Sequence, residues 1–314
     1  MEKRSLGNQG PELTTIGLGA WAIGGPWKFG WGPQDDQASV DTIRSILDLG
    51  INWLDTAAVY GMGHSEEIVG KAIKGIRDQL FIATKCGLRW DEQGDVSRIL
   101  DPKSIRKEIE DSLRRLDIDV IDLYQFHWPD TDTPIEDSWE VMLRLKEEGK
   151  IRYLGLSNHD VPLMKRAMKL AHVDSLQPPY NMISREIEAE ILPFCREMGI
   201  GVIVYSPMAS GLLSGRFDPN RLANDDWRKN HPNFTEPKLS KHLKLVEQLQ
   251  DIANSHNATV GQIAIAWTLH HPAVTAAIVG ARTPKQIQET SKAASITLTE
   301  EDKNSIEVYL KNLN

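Results

Sequence analysis

Cysteine is nearly absent from this 314-residue chain, which carries Cys86 and Cys195 and no other thiol. Two thiols are too few for a disulfide framework or a four-ligand zinc site. No metal site is expected. Cys86 directly follows Lys85, and neighbours along a strand point to opposite faces, so a Lys85 that faces a site leaves Cys86 packed on the other side. Both thiols read as buried and structural. Positive charge is also short: 36 Lys and Arg stand against 44 Asp and Glu, for a net charge of -8. No basic cluster reaches the density that displaces counterions from a phosphate backbone, which argues against nucleic acid as a partner. No apolar run approaches the ~18 residues of a membrane span, and the start MEKRSLGNQGPELTTIGLG lacks the apolar stretch of a signal peptide. The expectation is a cytoplasmic chain with no membrane partner.

What is present is ordinary globular composition, 40% hydrophobic and 25% charged, enough to bury a sizeable core. Short apolar runs alternate with amphipathic stretches. Candidate strands fall at 16–20, 51–55, 80–85, 120–126, 151–156, 174–178, 200–205 and 275–279. Eight strands with helices between them predict an α/β fold, a parallel (β/α)8 TIM barrel in one domain over 1–314. The helices carry their own signals. DDQASVDTIRSILDLG opens on acidic residues and ends at Gly50; Asp101 and Pro102 open DPKSIRKEIEDSLRRLD; Thr133 and Pro134 open a helix that stops at Gly149. An N-terminal hairpin is expected from RSL through GNQGPE to LTTI, capping the amino end of the barrel. A long loop follows strand 7 over 207–238, rich in Gly, Pro, Asn and Asp; loops of this length are usually functional or disordered. Additional C-terminal helices are expected at 239–255, 260–270 and 299–312.

Chemistry clusters where the strands end. Asp55 closes INWLD with Tyr60 behind it, Lys85 closes FIATK, and His127 closes VIDLYQFH. In a parallel barrel these ends open on one face, so residues dispersed in sequence converge. An Asp55–Lys85 ion pair beside Tyr60 is expected to lower the phenol pKa. The bland alternative is a structural salt bridge near a surface tyrosine, and placement at consecutive strand ends argues against it. Lys85 also suits a Schiff base with a carbonyl substrate, so these residues alone leave hydride transfer and imine chemistry both open.

A binding apparatus for something long and anionic favours the first. Gly280 and Arg282 leave the last strand just before a helix that starts near Thr283 and Pro284, and SGLLSGR at 210–216 offers flexible amides and Arg216. A helix end with an arginine is common by chance. Ser157, Asn158 and Gln177 are neutral hydrogen-bonding groups suited to a carboxamide, with Tyr205 as a flat stacking face. GLGAWA at 17–22 matches the dinucleotide fingerprint G-x-G-x-x-A, but IGGPWKFGWG follows it and suits no helix, so it does not signal a Rossmann domain.

Taken together, GLGAWAIGG, DTAAVYGMGHSEEIVGKAI, IATKCG, DLYQFHWPD, IRYLGLSN, QPPYNMISRE, VYSPMASGLLSG and GARTPKQ resemble the aldo-keto reductases over essentially the whole chain, in the bacterial general-stress-type branch related more distantly to potassium-channel β subunits. The resemblance implies a barrel that binds NADPH/NADP extended and reduces aldehydes and ketones. It implies Tyr60 as general acid, Lys85 lowering its pKa, Asp55 holding Lys85, and His127 orienting the carbonyl. It also implies a cofactor site built from Gly19, Ala20, Trp21 and Asp55, from Ser157, Asn158 and Gln177 on the carboxamide, and from Tyr205 under the ring. Ser206, Pro207, Ser210, Gly211, Leu213, Gly215 and Arg216 would fold over the pyrophosphate; Gly280, Arg282, Gln286 and Glu289 would hold the adenosine end, Arg282 on the 2′-phosphate. Ala20 stands where many members have Thr and Thr290 where many have Asn, which bears on NADP against NAD. Trp21, Tyr60, His127 and Trp128 would line a pocket for small-molecule carbonyl substrates, with Trp27, Phe29, Trp31 and Trp90 in nearby loops. Such members are often monomers, so a monomer or weak oligomer is expected. The alternatives are an NADPH-binding sensor or auxiliary subunit with slow turnover, and a Lys85 Schiff-base aldolase.

Overall fold

The computed structural model describes residues 1–311 and 313. An antiparallel hairpin comes first, β1 (Lys3–Ser5) and β2 (Glu12–Thr14). Eight strands then close a parallel barrel: β3 (Ile16–Gly19), β4 (Trp53–Asp55), β5 (Phe81–Cys86), β8 (Ile121–Phe126), β9 (Ile151–Ser157), β10 (Ser175–Gln177), β11 (Gly201–Val204) and β12 (Ala276–Gly280). The remaining pair, β6 (Leu88–Trp90) and β7 (Val96–Arg98), is a second hairpin just after β5. All eight expected strands are present, most trimmed by a residue or two.

Helices α1 (Asp36–Asp48), α2 (His64–Ile73), α3 (Pro102–Leu116), α4 (Ile135–Glu147), α5 (Val161–Ala167) and α6 (Ile191–Met198) pack outside the strands. The caps act as their sequences indicate. Asp35 accepts from the Ala38 amide, and Asp101 from the Lys103 and Ser104 amides with Pro102 in the first turn. After β11 the chain takes several short 3₁₀ turns, then forms α7 (Lys238–Ser255), α8 (Val260–His270), α9 (Pro284–Thr290) and α10 (Glu300–Lys311). The expected end of the last helix, position 312, lies outside the described residues. The glycine-rich GLGAWA segment ends β3 and enters a short 3₁₀ turn at Trp21–Gly24, not a Rossmann helix.

Two apolar layers result. The larger lies between strands and helices and takes in Cys86 and Cys195, both buried and free. The smaller fills the barrel itself with Leu6, Leu13, Trp53, Ala83, Leu123, Ile203, Ala276 and Ile278. Leu6 and Leu13 come from the first hairpin, which therefore plugs the amino end as expected. Trp53 donates its indole N–H to the Thr14 carbonyl at 2.8 Å, and a Cβ at position 17 would lie 2.1 Å from its ring. Gly17 is therefore the residue that lets a tryptophan occupy the barrel axis.

Candidate active site

The parallel register brings Asp55, Lys85 and the residue before His127 to one end of the barrel, since β4 pairs with β5 and β5 with β8, Lys85 standing opposite Gln125. Lys85 is 1% exposed, and its ammonium donates to Asp55 Oδ1 at 2.5 Å, the Thr56 carbonyl at 2.9 Å and Tyr60 Oη at 3.2 Å. An ammonium has three donors, and all three are used. The other Asp55 oxygen accepts from Gln177 Nε2 at 2.9 Å and Gln125 Nε2 at 3.3 Å, while Gln177 Nε2 also reaches Gln125 Oε1 at 3.2 Å. Gln125 was not among the residues singled out in the sequence. It sits within the apolar-looking run VIDLYQFH, and its polarity inside a barrel strand was the available signal.

Burial decides the electrostatics. It lowers the Lys85 pKa, with Asp55 pulling the other way. It raises the Tyr60 phenol well above its ordinary value, and Asp55 adds to that rise. The sequence argued the opposite direction for Tyr60. The reason is geometric: the ammonium sits closer to Asp55 than to Tyr60, so the phenol faces a nearly neutral pair and desolvation dominates. Burial, then Lys85, holds the His127 imidazole well below its ordinary pKa, which leaves it neutral at physiological pH. His127 meets the Tyr60 ring edge-on at 5.7 Å between centroids.

Above these groups opens a cavity of about 620 Å³. Trp21 stacks on Tyr60 at 6.2 Å and on Trp227 at 6.3 Å, and Trp27 lies 6.2 Å from Tyr60. Phe29, Trp31 and Trp128 continue the aromatic wall, whereas Trp90 lines a separate small recess with Arg89, Glu108 and Arg115. Trp227 and His231 belong to the long loop expected over 207–238, and Leu88, Val96 and Arg98 to the second hairpin. None of these five was singled out from sequence. The indole N–H groups of Trp27, Trp31 and Trp227 are buried with no hydrogen-bond partner among the described residues.

Most of the residues assigned to a cofactor share this cavity. Gly19, Trp21, Asp55, Ser157, Asn158, Gln177 and Tyr205 line one part; Ser206, Pro207, Ser210, Gly211, Gly280, Arg282 and Gln286 line the rest. Ala20, Leu213, Gly215, Arg216 and Glu289 are not in its wall. Ala20 and Leu213 are fully buried, and Arg216 pairs with Glu289 at 2.6 Å, so its charge is already met. Asn158 donates to the His127 carbonyl and accepts from Tyr205 Oη, both at 2.9 Å, and Ser157 Oγ donates to the Gln177 carbonyl at 2.8 Å. Asn158, Ser206, Ala209 and Ser210 all have left-handed backbone, with φ of 61°, 57°, 48° and 53°. Non-glycine residues in that region cost about 1–3 kcal/mol each and collect at ligand clamps.

Arg282, expected at the adenosine end, is partly engaged as well. Arg282 donates to Gln34 Oε1 at 2.6 Å, to the Trp31 carbonyl at 3.3 Å, and to the Pro33 carbonyl. Arg228, held by Asp226, lies over the Trp31 ring at 4.8 Å and donates to the Ser210 carbonyl at 3.2 Å. The loops at 31–34 and 210–228 thereby meet beside the cavity.

An eight-stranded parallel barrel with a buried Asp–Lys pair, a tyrosine and a histidine at its carboxyl end defines a class of barrel oxidoreductases. The model of the aldo/keto reductase family matches residues 15–311, and the chain belongs to that family. It is 41% identical to the aldo-keto reductase YhdN of Bacillus subtilis over 99% of this chain and 94% of that protein. It is 37% identical to the NADH-specific methylglyoxal reductase of Escherichia coli over 96% of each. Among solved structures it is similar to the glycerol dehydrogenase AKR11B4 from Gluconobacter oxydans, with a TM-score of 0.90, 40% identity and coverage of 99% of this chain and 95% of that one. It is also similar to the holo form of AKR11C1 from Bacillus halodurans, with a TM-score of 0.82, 31% identity and coverage of 98% and 96%. No helix among the described residues is long and apolar enough to cross a membrane.

Proposed function

We propose that this enzyme reduces aldehydes and ketones with NADPH, and that Tyr60 protonates the carbonyl oxygen. The observation that supports this reading most is the Lys85–Tyr60 contact at 3.2 Å on the cavity floor, backed by the buried Asp55. The cavity volume suits a cofactor and small substrate, for which sites of about 300–1,000 Å³ are usual. The unpartnered indole donors, the amides of Asn158 and Gln177 and the Tyr205 ring give it the mixed lining a nicotinamide nucleotide requires. When bound, that nucleotide supplies the hydride.

The chain's own residues do the rest. Tyr60 begins as a neutral phenol and releases its proton to the developing alkoxide, and the Lys85 ammonium stabilises the phenolate that remains. Neutral His127 offers a hydrogen bond to the same oxygen without competing for the proton. Trp21 and Trp227 keep water from the reacting atoms. Lys85 is unsuited to imine formation because its nitrogen is enclosed and all three donors are engaged.

NADPH is favoured over NADH by Arg282, which has five N–H donors and uses three on the 31–34 loop, leaving two for a 2′-phosphate. Fluorescence titration with each nucleotide, followed by an aldehyde panel, tests both claims. Arg282→Ala is expected to weaken NADPH binding about tenfold or more with little change for NADH. An equal loss for both would remove the 2′-phosphate role, and no turnover with any carbonyl would remove the reductase reading.

A further inference from the structure

Two arginines reach the cavity wall, and their situations differ. Arg282 is clasped by Gln34 and two carbonyls. Arg98 has its guanidinium carbon 4.7 Å from the centre of the Trp128 ring, with no carboxylate within salt-bridge distance and no side-chain hydrogen bond among the described residues. Trp128 is the residue after His127, and Arg98, Trp128 and His127 all line the cavity. The other charges near it are accounted for: Lys85 is matched by Asp55, Arg228 by Asp226, and Lys28 by Asp95, while His127 is neutral. Neither arginine of the cavity wall has a carboxylate partner among the described residues, but Arg98, unlike Arg282, also has no hydrogen-bond acceptor for its guanidinium.

Its backbone is held in place. Arg98 stands opposite Leu88 in the second hairpin; the next residue, Ile99, donates to the Gly87 carbonyl at 3.0 Å, and the Leu100 amide donates to Asp130 at 2.8 Å. The Lys28–Asp95 pair ties the hairpin turn to the loop that carries Trp27 and Phe29. A planar guanidinium on a fixed strand, resting on an indole and presenting free N–H groups, matches a carboxylate in geometry and charge.

We infer that Arg98 is a specificity-determining residue for the reduction, selecting carbonyl substrates that carry a carboxylate at the end remote from the reacting carbon. The inference rests on the reductase reading above. The aromatic wall takes the body of the substrate, Tyr60 and His127 take the carbonyl oxygen, and Arg98 takes the anionic end.

The test compares 4-carboxybenzaldehyde with methyl 4-formylbenzoate, its uncharged ester of similar shape, under saturating NADPH. The expected result for the unaltered protein is a kcat/KM ratio of acid to ester that falls as salt is raised, because the guanidinium is exposed and therefore screened. In Arg98→Met, which keeps a side chain on Trp128, the ratio is expected to fall about tenfold. In Arg98→Lys, which keeps the charge without the fork, it is expected to fall by less. A ratio unchanged in Arg98→Met, or insensitive to salt in the unaltered protein, overturns the assignment while leaving the reductase reading intact. Failure to reduce the ester as well as the acid overturns both. The salt series needs no variant, so it decides the matter even if Arg98→Met does not fold.

Discussion

Neutralising Asp55 separates what the buried ion pair does for stability from what it does for catalysis. Asp55 is 2% exposed and accepts from Lys85 at 2.5 Å, so Asp55→Asn leaves an enclosed ammonium without its counter-charge. Breaking such a pair costs about 3–5 kcal/mol. Burial already lowers the Lys85 pKa, so the amine sheds its proton once Asp55 is neutral, which places the loss near the lower figure, about 3 kcal/mol. Lys85→Met leaves the Asp55 carboxylate with only the two glutamine amides and costs a similar amount. The double variant buries no charge, so its loss is expected to fall short of the sum by about 2 kcal/mol or more. Denaturant midpoints for the four proteins measure this. Catalysis is expected to behave otherwise: neither a neutral amine nor a thioether stabilises a Tyr60 phenolate, so both single variants and the double lose about 10²–10⁴-fold in kcat. Additive stability losses, or turnover regained in the double variant, would refute the reasoning.

Tyr60→Phe is expected to lower carbonyl reduction by a similar factor while nucleotide binding stays near that of the parent, measured by fluorescence titration beside steady-state rates. Because burial raises the Tyr60 pKa and lowers that of His127, reduction by the parent is expected to be flat between about pH 6 and pH 9, and a His-like limb near pH 6.5 would contradict the neutral imidazole. Glu108, buried and accepting from the Gly87 amide and Ser104 Oγ at 3.0 Å each, has its carboxyl pushed up to about 7. A raised folded pKa means the associated stability is present below the unfolded value of about 4.3 and is lost as pH climbs through about 7, at most about 4 kcal/mol in all. Glu108→Gln removes that dependence, so its advantage over the parent in denaturant midpoint is expected to grow from about pH 5 to about pH 8, and parallel curves would count against it.

The strand ends were legible because a parallel barrel needs only short apolar runs, and Asp55, Lys85, His127, Ser157 and Gln177 stand within a residue of those ends. Other features had no comparable pattern. The second hairpin consists of two three-residue strands, LRW and VSR, too short for a period to show, so Arg98 carried no structural label. Trp227 and His231 sit in a stretch whose composition marks a loop but says nothing of where it folds back. Gln125 was passed over because only the closed barrel points it at Asp55. The direction of the Tyr60 shift was misread for a related reason: sequence places the Asp55–Lys85 pair near the phenol but gives neither the distances within that cluster nor the depth of burial.

The plug at the amino end has a kinetic consequence. With Leu6, Leu13 and Trp53 filling the barrel below Ile278, and Ile278 itself in the cavity wall, a ligand seated on that floor has no way out through the barrel. Traffic is then ruled by depth. If two molecules stack in this well, the one against the strand ends is expected to arrive first and depart last, with the other coming and going above it. A vessel stoppered at one end imposes a queue on its contents.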